Sequence, residues 1–228
     1  MMLRNASLAL LLVSSSALAQ QATPVGATDH AGVVGHYGAT WFAPVPLATL
    51  GTVDASGSVS IVPVGVRYWM NSGMGLDLGL GLGFGSSSTE RVAGSQTTTV
   101  DAPTFFGMVL HGGVPLALST GKHYSFLVVP EANLGFSSTK EKGTPDDTTL
   151  GGFHLDLGAR AGAEIHFGFI DLPQLSLQAS VGAAFAYDSA SREVGSSKTS
   201  VTRNAFATTV QNEPWAIFRS NVAAIYYF

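Results

Sequence analysis

Six histidines and fifteen carboxylates carry most of the chemical potential of this sequence, and their spacing limits what they can do. His154 and Asp156 stand two residues apart, as do Glu164 and His166. A strand projects residues i and i+2 to one face, so either pair could pass protons beside a nucleophile such as Ser180. A lone His-x-Asp is a weak metal signal, because zinc centres use three or four protein ligands and no other histidine stands at ligand spacing. Glu141, Asp146 and Asp147 fit a solvated acidic loop. Gly79 to Gly85 contain Gly-x-Gly-x-Gly, but without the helix and acidic residue of a nucleotide site. With no cysteine, the chain has no thiol, disulfide or haem-thiolate chemistry. A net charge of -4 and no basic stripe argue against nucleic acid as a partner. These residues assemble no catalytic, metal or cofactor set, and the expectation is a protein without catalysis and without a cofactor.

What remains is a set of ionisable residues at alternating positions among apolar neighbours: Arg67, Asp77, His111, Glu131, Asp156, Arg160, Glu164, His166 and Arg219. Phe153 to Phe169 displays the pattern most fully. One face carries Phe153, Leu155, Leu157, Ala159, Ala161, Ala163, Ile165, Phe167 and Phe169; the other carries His154, Asp156, Gly158, Arg160, Gly162, Glu164, His166 and Gly168. Period two with unlike faces is the signature of a strand. Asp156, Arg160 and Glu164 at i, i+4 and i+8 could pair along a helix, but the apolar set would then spread all round it and each internal glycine would cost about 1 kcal/mol.

The elements that must position these groups follow from composition. The 228 residues are 46% hydrophobic but only 11% charged, against about 25% in soluble domains. No run of about 18 apolar residues occurs in the body of the chain, so low charge here points to a membrane β-barrel. In Met74 to Gly85, five leucine or phenylalanine residues after Met74 alternate with Gly75, Asp77, Gly79, Gly81, Gly83 and Gly85. A soluble barrel would turn that glycine row to water, where it adds nothing; a narrow membrane barrel turns it inward, where only small side chains fit.

Eight strands are expected: Val34 to Phe42, Val59 to Trp69, Met74 to Gly85, Phe105 to Leu118, Tyr124 to Ser137, Phe153 to Phe169, Leu175 to Tyr187 and Trp215 to Phe228. Long connections over Ala43 to Gly57, Ser86 to Ala102, Ser138 to Leu150 and Asp188 to Pro214 alternate with short turns. The expected fold is all-β: an eight-stranded antiparallel up-and-down transmembrane barrel over 34–228. Pro130 should distort its strand, since proline cannot donate to the ladder. Aromatics at strand ends (Trp41, Tyr68, Trp69, Phe84, Tyr124, Phe153, Phe167, Phe169, Tyr187, Trp215, Tyr226 and Phe228) fit two interfacial girdles. The ionisable set should then be a lumen plug of mutual ion pairs, because burying such groups singly is costly. Ahead of the barrel, Arg4, the apolar Leu8 to Val13 and Ala17-Leu18-Ala19 read as a signal peptide over 1–19, followed by a loose periplasmic lead-in over 20–33.

With these strands in place, the chain resembles the small eight-stranded outer-membrane barrels of Gram-negative bacteria, of the OmpA, OmpX and opacity-protein type. The resemblance covers Val34 to Phe228 and is strongest at the terminal Ile225-Tyr226-Tyr227-Phe228, where Tyr226 and Phe228 look like the signal read by the barrel-assembly machinery. It implies export, periplasmic chaperones, insertion into outer-membrane lipid and exposed loops that meet a partner. Some barrels of this size are lipid A deacylases or acyltransferases, which use a histidine and a serine near the interface. Here no histidine, and so no compact His-x-Ser, occurs after His166. A lipid-modifying enzyme and a narrow ion channel are therefore the alternatives to a structural, surface-interacting barrel.

Overall fold

The computed structural model describes residues 28–48, 58–86, 88–93, 96–101, 103–143, 146–208 and 222–228. A helix α1 (Asp29–Val33) precedes strand β1 (Tyr37–Trp41). A hairpin of β2 (Val45–Ala48) and β3 (Ser58–Ile61) leads to β4 (Val64–Asn71) and β5 (Met74–Gly85). A second hairpin, β6 (Ser88–Ala93) with β7 (Gln96–Asp101), leads to β8 (Thr104–Gly113) and its continuation β9 (Leu116–Thr120). Then come β10 (Tyr124–Glu141), β11 (Thr148–Phe167), β12 (Leu172–Val194), β13 (Ser197–Thr208) and β14 (Val222–Tyr227).

Hydrogen-bonded neighbours run β1-β4-β5-β8-β10-β11-β12-β14 and back to β1, every pairing antiparallel. This is a closed eight-stranded barrel, which leaves no free edge around that circuit. The tight turns, α1 and Phe228 share one end, here the lower; β12 pairs there with β14 and higher up with β13.

Sidedness follows the alternation. Arg67 is 2% exposed and Asp77 and Glu164 0%, whereas Leu82 is 57% and Phe84 84% exposed. Leu80, Leu110, Leu134 and Leu155 lie side by side across four strands as one outward row. Leu78 and Leu157 are also half exposed.

Several expectations change. The second expected strand divides at Val62–Pro63: Ser58–Ile61 turns inward as β3, and only from Val64 does the chain join the wall. Pro63 cannot donate to the ladder, though its carbonyl accepts from Phe42 N–H at 2.9 Å. Segments expected as loops are strands, because β10 continues to Glu141, β11 begins at Thr148, and β12 and β13 meet at a turn with Gly195 at φ 56°. These extensions are rich in serine and threonine and lose the contrast between faces while keeping the ladder. Ser86 to Ala102 likewise contain β6 and β7. Pro130 stays in register opposite Ala159; the irregularity falls on the neighbouring strand, which breaks between β8 and β9, where Val114 N–H reaches Pro130 O. Finally, Trp69 is not a girdle residue: it is 0% exposed inside, its indole N–H donating to Tyr227 Oη at 3.0 Å. The signal peptide, Trp215 and Arg219 lie outside the described residues.

The hairpin β2–β3 sits in the upper lumen, where Val45, Leu47, Ile61 and wall residue Val109 are buried together. Glycines make the room. A Cβ at Gly81 would lie 2.6 Å from Ile61, one at Gly79 2.7 Å from Phe42, and one at Gly107 2.8 Å from Ile61 and 3.0 Å from Leu47. The hairpin forms its own two-stranded sheet, outside the wall's ladder. The inward glycine row thus receives β2, expected in an outer loop, and β3, expected as the start of a wall strand.

Candidate functional site

Below the hairpin the lumen is polar. At its centre Arg67 on β4 faces Asp77 on β5, its register partner. The guanidinium donates from Nε to Oδ1 and from Nη2 to Oδ2, both at 2.7 Å, a fork-to-fork pair. Its Nη1 donates to Glu164 Oε2 at 3.0 Å and to Gln178 Oε1 at 2.5 Å. Glu164 Oε1 accepts from Ser176 Oγ at 2.6 Å and from Tyr227 Oη at 2.8 Å. One arginine therefore ties four strands together through fully buried partners.

A second group lies one step higher. Arg160 on β11 donates from Nε and Nη2 to Glu131 Oε2, both at 2.7 Å, and from Nη1 to Ser180 Oγ at 3.2 Å. Beside it His111 Nδ1 donates to Asn133 Oδ1 at 2.8 Å, and Phe42 stacks on the imidazole at 3.9 Å between centroids. Higher still, His154 is held between two carboxylates, Asp188 Oδ1 at 2.7 Å and Asp156 Oδ2 at 2.8 Å.

Eight of the nine expected lumen residues therefore have described positions and are inward, in three groups rather than one. The candidate nucleophile is not assembled: Ser180 belongs to Arg160, and His154 to its two aspartates. Among the described residues no group of three histidine or acidic side chains could hold a metal ion.

Partners that the sequence reading missed come mostly from the lower end. Alternation places Tyr227 inward opposite Tyr226, yet its link to Glu164 spans 63 residues of sequence and needs the closed circuit. Helix α1, expected as part of a loose lead-in, crosses the lower mouth. His30 Nε2 donates to Ser72 O at 3.0 Å, Asp29 Oδ2 accepts from His123 Nδ1 at 2.7 Å and from Gly168 N–H at 3.2 Å, and Asp29 N–H reaches Lys122 O at 2.9 Å. All three lower turns are thus tied to it. Behind α1, His166 is fully buried with its Nε2 3.7 Å from Glu164 Oε1.

Burial holds the His30 imidazole below its ordinary value near 6.5, outweighing the carbonyl of Ser72 and the charge of Glu164. The unfolded segment then binds a proton that the docked one does not. Docking is unopposed above about pH 6.5 and weakens as the pH falls below it. Hydrogen exchange of amides 29–35 should quicken, relative to those of β11, between pH 8 and pH 5, and His30→Gln should flatten that dependence.

No family model and no curated protein matches the chain. Among solved structures it is similar to a major outer membrane protein from Thermus thermophilus, at 13% identity and a TM-score of 0.40, over 85% of this chain and 98% of that one.

Proposed function

We propose that this protein is an outer-membrane barrel with a closed lumen, acting structurally and by surface interaction rather than by catalysis. One observation carries the reading: exposed leucine, valine and phenylalanine rows encircle a barrel whose inward groups pair within it, Arg67 with Asp77 and Glu164, Arg160 with Glu131, and Asp156 and Asp188 with His154. Water would leave that belt uncovered, while hydrocarbon covers it at no cost to the backbone, whose donors and acceptors are met by the closed ladder. Tyr37, Tyr124, Phe126, Phe169, Tyr226 and Phe228 are exposed near the lower end, as an interfacial girdle requires.

In this reading the tight turns and α1 face the periplasm, and the extended β10–β11 and β12–β13 hairpins project outward to meet a partner. The outward Tyr226 and Phe228 serve the barrel-assembly machinery, after export by the leader and transit with periplasmic chaperones. The tiers of Arg67 and Arg160, with the hairpin above and α1 below, support a plug over a conducting path.

Trypsin applied to intact cells tests the orientation. Cleavage is expected at Lys142 and Lys198, with Lys122 spared; cleavage at Lys122 alone would reverse it. Fractionation should place the protein with the outer membrane, in a form whose gel mobility changes on heating.

A further inference from the structure

The outer wall is not evenly bulky. At one depth the outward row reads Leu78, Gly112, Ala132, Leu157 and Phe185, so its two smallest members are neighbours on β8 and β10. Just below, β8 breaks at Val114 and Pro130 presents its ring outward. The result is a groove of about 510 Å³ walled by Leu76, Val114, Pro130 and Leu157 over a floor of Gly112 and Ala132. A Cβ at Gly112 would meet nothing within 4 Å, so the floor is open space rather than a site of tight packing.

We propose that this groove holds one acyl chain of a phospholipid from the leaflet at the tight-turn end, a site that rests on the membrane reading above. Its shape assigns that side. Above it stands the leucine row Leu80, Leu110, Leu134 and Leu155, and above that Met108, Phe136 and Phe153, which close the groove toward the upper end. Toward the lower end the outward residues of β11 shrink to Ala159, Ala161 and Ala163, leaving a shallow path to Tyr124 and Phe126. A chain entering there lies against side chains on both flanks, gaining dispersion contacts that a chain over an even wall does not. The groove is continuous with the exposed apolar belt, and only a handful of residues shape it. A protein interface would engage about 20–30 residues a side.

Native mass spectrometry of the mature barrel, refolded in micelles with palmitoyl-oleoyl phosphatidylethanolamine, tests this. Wild type should retain one phospholipid, and Gly112→Leu, whose Cβ would meet nothing within 4 Å, should fill the floor and lower the lipid-bound fraction at least tenfold. Gly85→Leu, equally unobstructed but outside the groove, should keep it. Equal retention by wild type and Gly112→Leu, no retention by wild type, or loss in both variants overturns the site. A wild-type dimer abolished by Gly112→Leu overturns it in favour of a second copy. Heat-modifiable mobility in the same micelles separates the two claims: its absence from wild type removes the membrane reading and the site together, while its presence with unaltered lipid retention removes only the site.

Discussion

Arg67→Met should destabilise the barrel by about 3–5 kcal/mol, the range expected when one member of a buried ion pair is removed. The cost comes from what stays behind. Asp77 and Glu164 are each 0% exposed, and both lose their cation at once. Asp77 would be left without its two-pronged partner, and Glu164 would keep the hydroxyls of Ser176 and Tyr227 and the His166 ring 3.7 Å away. Arg67→Lys should recover only part of the loss, since an ammonium cannot reproduce the fork on Asp77 while also reaching Glu164 and Gln178. Asp77→Leu in the Arg67→Met background should be less harmful than the sum of the single changes, because it removes one of the two stranded carboxylates. Urea titration of the refolded barrel, read by heat-modifiable mobility, measures each variant. A loss below about 1 kcal/mol for Arg67→Met would mean that this tier is solvated and the lumen is not closed.

Gly107→Val should expel the β2–β3 hairpin from the lumen. Its added carbon would lie 2.7 Å from Phe105, 2.8 Å from Ile61 and 3.0 Å from Leu47, so these side chains must give way, and the further methyls of valine add to the crowding. Overfilling a packed interior costs about 1–3 kcal/mol, and the structure yields where it is held least. The wall on either side of Gly107 is a continuous ladder to β5 and β10, whereas the hairpin is joined to the wall by side-chain packing. Amides of Val45–Ala48 and Ser58–Ile61 should therefore exchange at least tenfold faster while those of β5, β8 and β10 stay protected. Gly112→Ala, on the opposite face of the same strand and with nothing within 4 Å, is the matched change that should leave the hairpin seated. Protection of the hairpin in Gly107→Val equal to wild type would show that its seat does not depend on the glycine row.

These two cases also mark how far the sequence can be read. That Leu78 faces out and Asp77 in follows from alternation, which needs no knowledge of neighbours. That Arg67 meets Glu164, 97 residues away, depends on the register accumulated around the whole circuit, and no local pattern encodes it. The hairpin was hidden for a different reason. Val45, Leu47 and Ile61 sit at alternate positions as wall residues would, and the signal that they lie inside was on other strands, where Gly79, Gly81, Gly83, Gly107 and Gly135 leave more room than a side-chain-filled lumen requires. The upper extensions of β10 to β13 escaped notice because both their faces are polar. A change of surroundings erased the two-residue contrast without ending the backbone pairing.

The pairing between the first and last strands of the circuit has a consequence for how the cylinder is made. Among the described residues β1 and β14 share two register pairs, Gly38 with Tyr227 and Ala39 with Tyr226, while β11 and β12 share twenty. Those pairs join β1 to β14, the two ends of the circuit, so the ring shuts only when those ends meet, however many hairpins between them have already formed. A lesion confined to Gly38, whose added Cβ would lie 2.6 Å from Ile225 and 2.8 Å from Tyr227, would let every hairpin form and still leave the molecule unsealed.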